Sequence, residues 1–90
     1  MRRYDFIIAY DIADVKRLRK IARVIEKQAM RIQYSVYIFY DATHQELTAL
    51  LNSVTKIYNE KYDDIRVYKV KNRGLHFRAA VDLDNPLDFL

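Results

Sequence analysis

The sequence predicts a single α+β domain whose elements run β-α-β-β-α-β, and three observations carry that prediction. The 90 residues hold one glycine and one proline, too few for a linker or a low-complexity tract. Two segments repeat their apolar residues at the three- and four-residue steps of a helix. Around them lie runs of Tyr, Phe, Ile and Val, the composition of strands.

The first strand is "RYDFIIAYD", residues 3–11, whose apolar run from Phe6 to Tyr10 predicts burial on both faces. Residues 14–28 follow as a helix with Val15, Leu18, Ala22 and Ile25 in one stripe and Ile21 at its edge. At about 100° per residue, Lys16, Lys20, Arg23 and Lys27 gather on the opposite side. Asp14 is expected in the first turn, where a negative charge suits the helix dipole. "RIQYSVYIFYD", residues 31–41, is long for one strand, so a turn or bulge near residues 33–35 should divide it. "THQE", residues 43–46, has the capping-box form and opens a second helix running to about Asn59, with Leu47, Leu50, Leu51, Val54 and Tyr58 inward. "DIRVYKVK", residues 64–71, alternates as a strand, and "LHFRAAVDL" adds one more extended piece.

That order is the ferredoxin-like sandwich, an antiparallel sheet with two helices on one face, spanning residues 1–90. The second sheet face, carrying side chains of the first strand, would then stand in water. A second copy packed sheet to sheet would cover it, giving a homodimer. A chain this short also hides only roughly 60 to 65% of its unfolded surface, which makes self-association useful. Residues 75–90 form a C-terminal extended segment, pairing either with its own sheet or with the partner subunit.

There is no cysteine, hence no disulfide framework or thiolate metal site. The apolar core of "MRRYDFIIAYD" is too short for a signal peptide or a bilayer span, so the expectation is a cytoplasmic protein with no membrane partner. Formal charge is +4, and seven bases against two acids fall within residues 14–31. Such clustering fits a polyanion, although a solvated charged face is the plain reading of any single Lys or Arg.

"AYDIADVKRLRKIARVIEKQAMRIQYSVYIF" resembles the N-terminal half of the CRISPR-associated protein two family, the small subunit of the spacer-acquisition machinery. The match lies in "YDI" ending the first strand, the basic helix directly after it, and "RIQYSVY" in the central sheet. The resemblance implies a ferredoxin-like homodimer with metal-dependent endonuclease activity on RNA or DNA, using Mg²⁺ or another divalent cation such as Mn²⁺. It also implies an integrase subunit as partner, with the dimer holding prespacer DNA. By position, Asp11 would be the catalytic and metal-binding acid. Lys16, Arg17, Arg19, Lys20, Arg23 and Arg31 would contact nucleic acid, with Tyr10, Ser35 and Tyr37 supporting the site. Three departures stand out: Ala13 replaces a Ser or Thr cap, residues 28–30 lack a glycine, and Tyr37 replaces a Phe.

Taken alone, Asp11 is a turn residue or helix cap. A two-fold axis beside it would bring two carboxylates together, and Mg²⁺ takes one or two of them while keeping several waters. Asp5, six residues back along an extended strand, lies too far off to join. Arg31 and Ser35 either touch nucleic acid or satisfy backbone groups at the turn. His44 and His76 are expected in surface or hydrogen-bonding roles, and Tyr4, Tyr34 and Tyr40 in core or interface. Two functions follow: a metal-dependent endonuclease of CRISPR adaptation, or a non-catalytic architectural dimer holding duplex DNA for an integrase. A single-strand-reading RNA-recognition module is the third possibility, but its basic-glycine-aromatic signature is missing from the third strand.

Overall fold

A computed structural model describes residues 2–70, so the extended piece after residue 74, His76 and the pairing of residues 75–90 lie outside the described residues. Within them the order is β1 (Tyr4–Asp11), α1 (Val15–Glu26), β2 (Met30–Gln33), β3 (Val36–Ala42), α2 (His44–Thr55) and β4 (Asp64–Val70). The strands form one sheet in the order β2-β3-β1-β4 with every neighbouring pair antiparallel. This is the ferredoxin-like arrangement, with β1 central and both helices packed on one face. The expected break in residues 31–41 is a turn at Tyr34 and Ser35, preceded by a bulge between Arg31 and Gln33.

One core joins the layers. Phe6, Ile8 and Tyr10 of β1 and Tyr37 and Phe39 of β3 meet Ile21 and Ile25 of α1 and Leu47, Leu50 and Val54 of α2. In α1 the buried stripe is centred on Ile21 and Ile25, both fully buried, and not on the line through Val15. Ile21 therefore moves from the edge to the middle, and Val15 is left 58% exposed. This rotation turns Leu18 and Ala22 toward one side of the helix, where they line a cleft. Asp14 is the N-cap rather than a first-turn residue, its carboxylate accepting from the Arg17 N–H at 2.9 Å.

The capping box of α2 is present: Thr43 Oγ1 accepts from the Glu46 N–H, and the Glu46 carboxylate accepts from the Thr43 N–H. This helix ends at Thr55, four residues short of Asn59. The Asn59 N–H is given to the Asp63 carboxylate at 2.8 Å, while the Asn59 carbonyl accepts from the N–H groups of Tyr62 and Asp63. A tight loop wins there over another helical turn.

The second face of the sheet differs from expectation. Ile7 and its cross-strand partner Ile38 are 1% and 2% exposed within the single chain, so this part of the face is not open to water. Asp5 is buried and accepts from the Asp41 N–H at 2.8 Å, holding Asp41 at φ 50° in the left-handed region. Tyr34 is not a core residue but 80% exposed, and Tyr40 is also at the surface. His44 starts α2 with its ring edge-on to Tyr4 and Phe6. Among the described residues no helix is long and apolar enough to cross a membrane.

Candidate functional site

Helix α1 sorts its bases by side. Starting from the buried stripe at Ile21 and Ile25, a step of about 100° per residue sends Arg17 to one flank, Arg19 and Glu26 to the other, and Lys16, Lys20, Arg23 and Lys27 to the back. The back is exposed throughout and faces away from the sheet. Six residues expected to serve one function therefore do not share one location.

Arg17 is committed. Its Nε and Nη2 donate to the two oxygens of Asp63 at 2.8 and 3.0 Å, a two-pronged pairing of the fixed guanidinium fork. Asp63 is buried and also accepts from the Ala13 and Asn59 N–H groups at 2.9 and 2.8 Å. The Arg17 bond, helped by these backbone donors, holds its carboxyl well below the usual range despite the opposing effect of burial. Arg17 thus ties the start of α1 to the loop before β4, and the Ala13 N–H finds its partner there.

The other flank, from Leu18 to Glu26, opens onto a cleft of about 430 Å³ between α1 and the β2–β3 turn. Tyr10, Asp11, Arg19, Arg31, Ser35 and Tyr37 all line it. Asp11 ends β1, exposed, and its side chain has no hydrogen-bond or ion-pair partner among the described residues. Across the β1–β4 pair it stands in register with Asp64, whose carboxylate is held by Arg66 Nε at 2.9 Å. Arg31 Nε donates to the Tyr34 carbonyl at 2.8 Å, and the Ser35 carbonyl accepts from the Tyr10 N–H at 3.1 Å. The Arg31 side chain therefore satisfies a backbone group at the turn, whereas Ser35 contributes its main-chain carbonyl, and the exposed Arg31 also lines the cleft.

The wall of the cleft is a directed chain of hydroxyls. Tyr10 Oη donates to Tyr37 Oη at 3.4 Å, and Tyr37 Oη donates to Glu26 Oε1 at 2.9 Å, with the two rings stacked 5.9 Å apart. Burial, then the bonds to Tyr10 and Glu26, push the Tyr37 hydroxyl far above its ordinary pKa, so it stays neutral and donating. A phenylalanine here could not hold Glu26. Glu26 was not among the expected site residues, and its signal was its isolation: it is the only acid between Val15 and Arg31. Tyr34 also lines the cleft unexpectedly, with the apolar Ile12, Leu18 and Ala22.

A divalent ion would find one uncommitted carboxylate here, Asp11. The described residues gather no group of three His, Cys, Asp or Glu side chains able to hold a metal. A single carboxylate suits Mg²⁺, which keeps most of its waters. It does not suit an ion that needs a full protein cage.

Residues 4–76 match the family model described as CRISPR associated protein Cas2. The chain is 42% identical over 76 residues to the CRISPR-associated endoribonuclease Cas2 1 of Nitrosomonas europaea, covering 84% of this chain and 71% of that one. It is 30% identical to the CRISPR-associated endonuclease Cas2 of Halalkalibacterium halodurans, covering 92% and 97%. Among solved structures, a hypothetical protein of Thermus thermophilus superposes with a TM-score of 0.74 at 27% identity, over 78% of this chain and 84% of that one. Streptococcus pyogenes Cas2 does so at 0.68 and 28%, over 82% and 93%.

Proposed function

The chain belongs to the CRISPR-associated protein Cas2 family, and from that premise we propose that it is a homodimeric, divalent-metal-dependent endonuclease of CRISPR adaptation acting at Asp11. The observation that carries this reading is the cleft, which gathers the free acid Asp11, the cations Arg19 and Arg31, and the braced tyrosine pair. Relatives named endoribonuclease and endonuclease support phosphodiester hydrolysis as the activity. Mg²⁺ or Mn²⁺ held by Asp11, and by the same residue of a second copy, would supply a more acidic water and offset phosphate charge. The protein's own groups do the rest. Arg19 and Arg31 hold the phosphodiester at the mouth, Tyr37 stays protonated, and the stacked Tyr10 and Tyr37 rings close the inner wall to water.

Lys16, Lys20 and Arg23 lie on the back of α1, outside the cleft, and this separation favours a second reading. The dimer would then be an architectural clamp that holds duplex prespacer DNA on that face for an integrase subunit. One experiment separates the two. Asp11→Asn should abolish cleavage of labelled RNA or DNA in Mg²⁺ while duplex retention stays within about twofold. Reversing charge at Lys16, Lys20 and Arg23 should instead weaken retention by tenfold or more and flatten its salt dependence. Full cleavage by an Asp11→Asn preparation free of contaminating nuclease would remove the catalytic assignment and leave the clamp.

A further inference from the structure

We infer that the cleft is a reading site for one unpaired nucleobase, and that Glu26 is its specificity-determining residue, selecting bases that present an amino group. The inference rests on the reading of the cleft as a nucleic-acid site, and it goes beyond hydrolysis at Asp11. The recess of about 430 Å³ falls within the range that takes one small ligand. A base inside a duplex is stacked and paired and reaches such a recess only when extruded. Tyr34 lines the cleft and is 80% exposed, leaving a large aromatic side chain at the surface. Bases stack on such rings without regard to sequence. Arg19 and Arg31 flank the same mouth with cations for the adjoining phosphate.

Discrimination comes from Glu26, an exposed lining residue held by the buried tyrosine pair. Glu26 Oε1 accepts from Tyr37 Oη, which itself accepts from Tyr10, so this oxygen is engaged before any ligand arrives. Its second oxygen has no donor among the described residues. An ionised carboxylate accepts and cannot donate. It suits the exocyclic amine of cytosine, as acidic side chains do elsewhere, and is repelled by the O4 carbonyl that uracil carries at the same position. Cytosine and uracil have the same size, so shape does not confuse the comparison.

The test titrates the full-length protein with CMP and with UMP, followed by calorimetry and by backbone amide NMR shifts. CMP should bind about tenfold more tightly than UMP, with the largest shifts at Glu26, Tyr34 and Ser35. In Glu26→Gln the side-chain carbonyl still accepts from Tyr37, which preserves the wall, while the amide donates to O4. That variant should lose the CMP preference or invert it toward UMP, at unchanged melting temperature. Equal binding of the two nucleotides, retention of the CMP preference by Glu26→Gln, or shifts confined to the back of α1 would each overturn the inference. Absence of nucleotide binding with duplex retention intact would also overturn it while leaving the architectural reading untouched. A CMP preference in a protein without nuclease activity would do the opposite.

Discussion

Asp63 orients α1, and its chemistry gives a pH signature. Its carboxyl is held below the usual range first by Arg17 and then by the Asn59 and Ala13 N–H groups. A depressed folded-state pKa contributes stability that is complete above the unfolded value and is lost as pH falls through the folded one. Thermal melts should therefore be flat from neutrality to about pH 5 and fall below about pH 4. Asp63→Asn should melt several degrees lower at pH 7, and its deficit should shrink toward pH 2; a deficit unchanged in acid would show that charge is not the cause. Nothing in the sequence marked this residue, because two of its partners lie 46 and 50 positions away. Asp11, Arg19, Arg31, Ser35 and Tyr37 were legible through a motif, whereas Glu26 became visible only when Tyr37 was seen to reach it.

At the scale of elements, hydrophobic spacing located every strand and helix among the described residues, and errors arose where tertiary bonds took over. Spacing alone runs the α1 stripe through Val15, yet packing against β1 and β3 turns the helix toward Ile21 and Ile25. Ile25→Ala should cost about 2–5 kcal/mol in urea unfolding because it opens a cavity in the one core, while Val15→Ala should cost almost nothing. Equal costs would mean that Val15 is packed as closely as Ile25. The start of α2 was legible because its capping box is local, with partners three residues apart. Its end was not, since Asn59 answers to Asp63 rather than to the helix.

For the molecule as a whole, the sheet order follows from alternation and chain economy, but assembly does not follow from exposed apolar area. Ile7 and Ile38 are already buried, so the case for a partner rests on the marginal size of the chain and on Asp11, the uncommitted acid of the cleft. Sedimentation velocity should give twice the mass of the chain at micromolar concentration. A monomer would remove the shared pair of Asp11 carboxylates and with it the proposed ion seat.

The division of α1 into flanks has a last consequence. A duplex resting along the cationic back and a lone base entering the cleft touch different sides of one twelve-residue rod, so neither blocks the other. Free CMP should then inhibit cutting without dislodging bound duplex, and a single helix would let the protein grip one strand segment while inspecting another.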